Sequence, residues 1–164
     1  MFKLSHEGED FVKKEMARYE TKRSAVIPCL YRVQKENGGW VSAECIAYLA
    51  ELMDLPSAWI SEVVHFYTMF NKEPVGKLHV QVCNNITCCM LGGRELTDHI
   101  CKEFEVKPEE VTADGNVSVS KVECLGSCGT GPMMQVNDDY FENLTPESAV
   151  KIIKEMVHGS KATN

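Results

Sequence analysis

Apolar residues in the first 70 positions recur every three or four residues, which is the spacing of amphipathic helices. The pattern predicts four short helices. The first covers Phe11 to about Glu20, the second has an N-cap at Ser24, the third has an N-cap at Ser42, and the fourth has Pro56 in its first turn. Because helices this short cannot bury their apolar faces alone, residues 1–70 are expected to form a small helical bundle.

The apolar period changes after residues 71–76, a polar segment with one proline and one glycine that is typical of a linker. Apolar and polar residues alternate over 78–82, which predicts a strand. Four further elements are predicted in the order helix, strand, strand, helix, and they lie after Gly92-Gly93, over 117–122, over 133–136 and after Thr145. Residues 77–158 are therefore expected to form an α/β domain, and 159–164 a flexible tail.

The composition is that of a globular protein with an acidic surface. Apolar residues make up 44% of the chain, charged residues make up 25%, and the formal net charge is −7. That charge argues against nucleic-acid binding, since phosphate recognition needs a basic surface. No stretch approaches the roughly 18 apolar residues of a membrane span, and the N-terminus lacks the apolar run of a signal peptide. A cytoplasmic location without direct membrane insertion is expected.

Four of the eight cysteines form two short-range pairs, Cys83-Asn-Asn-Ile-Thr-Cys88 and Cys124-Leu-Gly-Ser-Cys128. In a reducing cytoplasm such cysteines are expected to bind metal rather than to form disulfides. Each pair follows a predicted strand, so a rigid sheet can bring the two loops together. Four thiolates, two on each iron, complete a two-iron two-sulfur cluster. The sequence therefore indicates a [2Fe–2S] site with these four cysteines as ligands.

A single zinc ion is the main alternative occupant. Structural zinc sites usually have two-residue gaps, whereas the gaps here are four and three residues, which favours the cluster. Cys89 is an alternative ligand to Cys88, but adjacent side chains diverge, and Cys88 is favoured. Cys29, Cys45 and Cys101 lie on or beside apolar helical faces and are expected to be core residues.

The chain has no sign of a catalytic centre of its own. It contains no nucleophile–base arrangement, no phosphate loop and no Gly-x-Gly-x-x-Gly, so it is expected to bind neither NAD nor flavin. A Rieske centre would need two histidines such as His79 and His99 in place of two cysteines, but four well-spaced cysteines are present. No catalytic residue is predicted.

The cysteine motifs resemble a known family. The segments Cys83-x4-Cys88, Glu-Cys124-Leu-Gly-Ser-Cys128-Gly-Thr-Gly-Pro, Gln135-Val-Asn-Asp-Asp and Phe66-Tyr-Thr-Met-Phe are similar to the NuoE-type [2Fe–2S] subunit of respiratory complex I. Related subunits serve NAD-linked hydrogenases and formate dehydrogenases. The resemblance covers roughly residues 10–158, and its small departures are Cys89 and the Gly-Thr-Gly after the last cysteine.

The resemblance implies a helical N-terminal part that docks a partner, followed by a thioredoxin-like [2Fe–2S] ferredoxin domain, with Cys83, Cys88, Cys124 and Cys128 as the cluster ligands. It also implies a NuoF-type flavoprotein partner that binds FMN and NADH. The chain would then be a one-electron carrier in NADH:quinone oxidoreductase, inactive in isolation and peripheral on the inner face of the membrane.

Three other functions remain open. The chain could be the equivalent subunit of a hydrogenase or formate dehydrogenase, a free-standing thioredoxin-like ferredoxin, or a zinc-stabilised interaction module. A free-standing ferredoxin would need only the second half of the chain, so the helical half favours a fixed partner.

Overall fold

The computed structural model describes residues 2–159 and divides the chain into two compact units, Met1–Pro74 and Val75–Asn164. The division lies within the segment 71–76 that the sequence predicts as a linker. The predicted tail, residues 159–164, lies outside the described residues apart from Gly159. Within the described part, no helix has both the length and the apolar character needed to cross a membrane.

All regular elements among the described residues of the first unit are helices. Its helices are α1 (His6–Arg18), α2 (Val26–Glu36), α3 (Ala43–Met53) and α4 (Ser57–Phe66). The mixed helix-and-sheet fold class predicted from the sequence is confirmed, because the second unit adds a sheet.

The start of α2 corrects the sequence interpretation. Ser24 was predicted to cap this helix, but it lies inside a short 3₁₀ turn, Lys22–Ala25. The side chain of Thr21 accepts a hydrogen bond from the Ser24 N–H and so caps the turn. Helix α2 then follows directly from the turn, which explains why it needs no side-chain cap of its own. Ser42 does cap α3, as predicted, by accepting from the N–H of Cys45.

The core of the helical unit is built from the apolar faces of its helices. Its members include Val12, Leu30, Leu49 and Ile60. Cys29 and Cys45 are also fully buried there, as the sequence predicted for both. Burial raises the pKa of the Cys29 thiol to about 12, and the charge of Glu15 adds to the effect. This thiol is therefore neutral at physiological pH and unreactive.

The second unit contains a four-stranded sheet, three α-helices and a short 3₁₀ turn, Cys128–Thr130, among its described residues. The strands and α-helices follow in the order β1 (Leu78–Cys83), α5 (Ile86–Met90), α6 (Gly93–Glu103), β2 (Val117–Val122), β3 (Met134–Val136), β4 (Asp139–Phe141) and α7 (Pro146–Val157). The strand order is β2-β1-β3-β4. Strands β1 and β2 are parallel, whereas β3 is antiparallel to both β1 and β4.

Two short elements of this unit were missed by the sequence interpretation. Residues 137–139 were predicted to be a turn, but Asp139 already belongs to β4 and is paired with Val136. Asn137 makes the reversal with a left-handed φ of 54°. Helix α5 has only five residues, too few for an apolar period to be recognised.

Helices α6 and α7 pack against each other and against the sheet. The core between them includes Val80, Val119, Leu96, Ile100 and Ile153, each fully buried. Thr145 caps α7 through a capping box with Ser148, and Pro146 lies in its first turn, as predicted. The helices and the sheet thus form a rigid support, and the parallel strands β1 and β2 have their C-terminal ends side by side.

Candidate metal centre

The register of β1 and β2 brings the two cysteine segments to the same edge of the sheet. Cys83, the last residue of β1, is paired with Val122, the last residue of β2. The N–H of Asn84 then donates to the Val122 carbonyl at 2.9 Å, which closes the ladder. Residues 83–88, the first cysteine loop, and residues 124–128, the second cysteine loop, therefore start side by side.

The two thiols of the first cysteine loop are buried. Asn85 caps α5, with its side-chain oxygen 2.9 Å from the N–H of Ile86, and α5 carries Cys88. Cys83 and Cys88 are each only 2% exposed, and Met133 is packed against them. The first pair of thiols thus lies beneath the surface, where water has little access.

The second cysteine loop lies at the surface. Cys124 and Cys128 are both exposed, and their sulfur atoms are 3.7 Å apart. Gly126 lies between them with a left-handed φ of 86°, and its N–H points at the Cys124 sulfur at 3.4 Å. Glycine adopts this backbone conformation without the strain that a side chain would add. The loop therefore turns tightly enough to bring both sulfurs to one side.

The thiols of the two loops influence each other. The pKa of Cys88 is raised to about 11, mainly by burial and also by the hydrogen bond and charge of Cys83, while the charge of Cys128 adds a smaller contribution. The pKa of Cys128 is raised above its usual value mainly by the hydrogen bond and charge of Cys124. A hydrogen bond with the Thr87 hydroxyl lowers the pKa of Cys128 and so partly offsets this increase. Crowded thiolates repel one another, and a positively charged metal centre would offset that repulsion.

The structure brings the predicted ligands together as two pairs. Among residues 2–159, no three or more His, Cys, Asp or Glu side chains surround a point as ligands of a single metal ion would. The buried pair from the first loop and the exposed pair from the second loop each suit one iron of a two-iron centre. The donor set, four thiols in two neighbouring pairs, fits a [2Fe–2S] cluster.

The side chains of Cys88 and Cys89 point in different directions. Cys88 interacts with Cys83 and Cys128, whereas the Cys89 thiol donates to the backbone carbonyl of Asn84 at 3.0 Å. This placement supports Cys88 as the ligand, and the choice stays a prediction. Cys101, which the sequence placed in the core, is partly buried against the sheet-and-helix core.

One contact beside the cysteines was missed by the sequence interpretation. The side chain of Asn85 donates to the Glu123 carboxylate at 2.9 Å, which links the first loop to the residue before Cys124. Gly131 also lies close to this loop, since a Cβ atom there would be 3.2 Å from the sulfur of Cys88. An asparagine between a strand and a helix is an N-cap signal that could have been recognised, but its second partner depends on the fold.

Comparison with known proteins places these features in a family. Residues 12–157 match the family model described as thioredoxin-like [2Fe-2S] ferredoxin. A subunit of the NADH-quinone oxidoreductase of Rickettsia bellii is 43% identical over 149 residues, which cover 91% of this chain and 88% of that protein. NADH-quinone oxidoreductase subunit 2 of Thermus thermophilus is 42% identical over 140 residues, which cover 84% of this chain and 77% of that protein.

A solved structure shares the fold. The match is to a chain in the crystal structure of an NAD+-reducing [NiFe]-hydrogenase in the air-oxidized state, with a TM-score of 0.67 and 20% identity. It covers 80% of this chain but only 23% of the hydrogenase chain. On the family match and the relatives together, the chain belongs to the thioredoxin-like [2Fe-2S] ferredoxin family.

Proposed function

We propose that this chain is the electron-transfer subunit of an NADH dehydrogenase module and that Cys83, Cys88, Cys124 and Cys128 hold its [2Fe–2S] cluster. The observation that carries the proposal is the meeting of the two thiol pairs at the end of the parallel strands β1 and β2. The relatives named as subunits of NADH-quinone oxidoreductase support the module. The equivalent subunit of an NAD-linked hydrogenase is the second candidate, supported by the fold shared with a hydrogenase chain.

When bound, a [2Fe–2S] cluster supplies a couple that takes up and returns one electron at a time. The residues of this chain would hold and tune it. The strands position the cysteine loops, and the buried pair excludes water from one side. Backbone N–H groups of Gly126 and Met133 are placed to donate to the sulfurs of Cys124 and Cys88, respectively. Such bonds to ligand sulfurs help to set a cluster's potential.

The exposed pair gives the proposed centre a route for electrons to the protein surface. Cys124 and Cys128 lie at the surface, so a partner can approach that side closely. Since the sequence has no nucleotide-binding motif, the NADH and FMN sites would belong to a NuoF-type flavoprotein partner. The complex would hold this chain on the cytoplasmic side of the membrane, as a carrier without its own catalytic activity.

The helical unit is proposed to help dock that partner. Three large side chains at the end of α4 and just beyond it remain exposed in the structure, namely Phe66, Tyr67 and Met69. Phe66 is 79% exposed. Clustered exposed apolar groups are typical of protein–protein contact sites.

Reconstitution with iron and sulfide tests the cofactor. The purified chain is expected to bind two irons and two sulfides, absorb visible light, and show an electron paramagnetic resonance signal only after reduction. The Cys124→Ser variant serves as the negative control. One zinc per chain without sulfide would instead establish a zinc-stabilised interaction module.

Purification of the tagged chain from its native source tests the partner. Recovery of a flavoprotein together with subunits of a quinone reductase is the expected result. Recovery of hydrogenase or formate dehydrogenase subunits would instead show that the chain is a subunit of that complex. A cluster-loaded chain recovered without a stable partner would point to a free-standing ferredoxin.

A further inference from the structure

The bond between Asn85 and Glu123 joins the two cysteine loops at a point that the proposed function does not use. Asn85 lies between Cys83 and Cys88, and Glu123 directly precedes Cys124. The Asn85 Nδ2 atom donates to Glu123 Oε2 at 2.9 Å. The Oδ1 atom of the same side chain accepts from the N–H of Ile86 at 2.9 Å. One side chain therefore caps α5 and also holds the segment that carries the other thiol pair.

Besides this bond, the Thr87 hydroxyl of the first cysteine loop interacts with Cys128 of the second. Two further side-chain contacts of the second cysteine loop and its continuation lead to a different part of the sheet. The Tyr140 hydroxyl donates to the Leu125 carbonyl at 3.0 Å, and the Thr130 hydroxyl donates to Glu142 at 2.6 Å. These bonds anchor the loop to β4 and the residue after it. They do not set its distance from the first cysteine loop. The last backbone hydrogen bond between β1 and β2 at this end is the one from Asn84 to Val122, so the side-chain bond of Asn85 acts directly beyond the end of the paired strands.

We propose that the Asn85–Glu123 hydrogen bond positions the two thiol pairs relative to each other and so governs how tightly the chain retains its cluster. The inference rests on the proposed function, because the four cysteines are taken as ligands. A hydrogen bond to a carboxylate is roughly twice as strong as a neutral one. Partners that orient metal ligands typically contribute about 10- to 100-fold to metal affinity. Because this bond is at the surface, the lower end of that range is expected.

Three single variants separate the hydrogen bond from the negative charge. Glu123→Ala removes both the acceptor and the charge, whereas Glu123→Gln removes the charge and keeps an acceptor oxygen. Asn85→Asp keeps the cap on α5 but has no donor, and it places two carboxylates against each other. The double variant Asn85→Asp with Glu123→Gln restores a donor and an acceptor with their directions reversed, at the original net charge.

The first readout is the rate at which the reconstituted chain releases iron to a chelator. Glu123→Ala and Asn85→Asp are expected to release iron about 10-fold faster than the unmodified chain, the lower end of the range for such partners. Glu123→Gln should lie closer to the unmodified chain, and the double variant should recover most of the loss. Equal rates for Glu123→Ala and Glu123→Gln would overturn the proposal, because only charge would then matter.

The second readout needs no cluster. Hydrogen exchange of the apo chain should show faster exchange of amides at 84–88 and 123–128 in Asn85→Asp, with protection regained in the double variant. Unchanged exchange in Asn85→Asp would overturn the positioning role even if the chain holds a cluster. Conversely, an unmodified chain that binds no iron and sulfide would contradict the proposed function, while the exchange pattern would still decide whether the bond orders the loops.

Discussion

Gly131 lies directly against the thiol of Cys88. A Cβ atom built on Gly131 would be 3.2 Å from Cys88 Sγ and 3.1 Å from Leu91 Cδ1, closer than ordinary van der Waals contact. The φ of Gly131 is −71°, a value open to any residue, so the position needs glycine for space rather than for backbone conformation. The loop after the second thiol pair thus packs tightly over a thiol of the first pair.

Gly131→Ala is expected to weaken cluster retention, because a Cys88 sulfur held by iron cannot move away from the added methyl group. Overpacking of this kind typically costs about 1–3 kcal/mol. The measurement is iron per chain after reconstitution and desalting. Gly129→Ala is the matched control, since a Cβ there has no atom outside the adjacent residues within 4 Å. Equal retention in the two variants would contradict the close-packing explanation.

Cys83→Ser and Cys124→Ser are each expected to abolish the visible spectrum of the cluster or to change it strongly. Serine at either position removes one of the four thiolates. Cys29→Ser should leave the spectrum unchanged, since that thiol is fully buried in the core of the helical unit. A normal spectrum in Cys83→Ser would show that this residue is not a ligand.

Cys88→Ser should lose the cluster, whereas Cys89→Ala should keep it. The reason is that the Cys89 thiol is directed at the Asn84 carbonyl, while Cys88 faces Cys83. Electron paramagnetic resonance of the reduced proteins distinguishes the two outcomes. The opposite result would make Cys89 the ligand in place of Cys88.

Thr87→Val is expected to lower the midpoint potential of the cluster. The Thr87 hydroxyl lowers the pKa of Cys128, which means that it stabilises the negatively charged sulfur. Loss of such a bond disfavours the reduced, more negative state of the centre. A redox titration measures the shift, and Thr87→Ser, which keeps the hydroxyl, should stay near the unmodified value. A potential that does not change in Thr87→Val would show that the bond has no influence on the cluster.

Acid should destabilise the second unit through His79. This side chain is 8% exposed, its ring lies 2.9 Å from the Ser120 hydroxyl, and burial lowers its pKa below the ordinary 6.5, although the charge of Glu109 acts in the opposite direction. The unfolded chain therefore binds the proton more readily than the folded one. The contribution of His79 to stability is complete above the ordinary pKa and is lost as pH falls through the folded-state pKa.

Thermal unfolding of the apo chain between pH 8 and pH 5 checks the effect of His79. The melting temperature of the unmodified chain should fall over the acid part of that range. His79→Gln, which carries no titrating group, should show a flatter dependence. The same slope in both chains would assign the acid sensitivity to other groups.

Local signals in the sequence were sufficient for most of the elements. Ser42 and Thr145 cap helices where predicted, because N-capping depends on residues within one turn. The cysteine spacing identified the thiol pairs, since the gap within each pair is a local property. Ser24 was misassigned because Thr21, three residues earlier, offered a competing cap.

Other features depended on contacts between distant residues. Strand β4 has three residues and exists through its pairing with β3, as in the pair Met134 and Phe141, so its own pattern carried little information. Asn85 meets Glu123 across 38 positions of the chain. Such pairs are decided by strand register, which no local pattern specifies.

The sequence by itself determined the thiol pairs, the helix caps and the change from a helical to a sheet-forming half. Only the tertiary structure decided that Cys83 is paired with Val122 at the ends of β1 and β2, and that one thiol pair is buried and the other exposed. It also decided that Cys88 rather than Cys89 faces the other thiols. The physical reason is that the spacing of cysteines and capping residues is a property of the linear sequence. The burial and orientation of their side chains arise only when the parallel strands and their helices pack together.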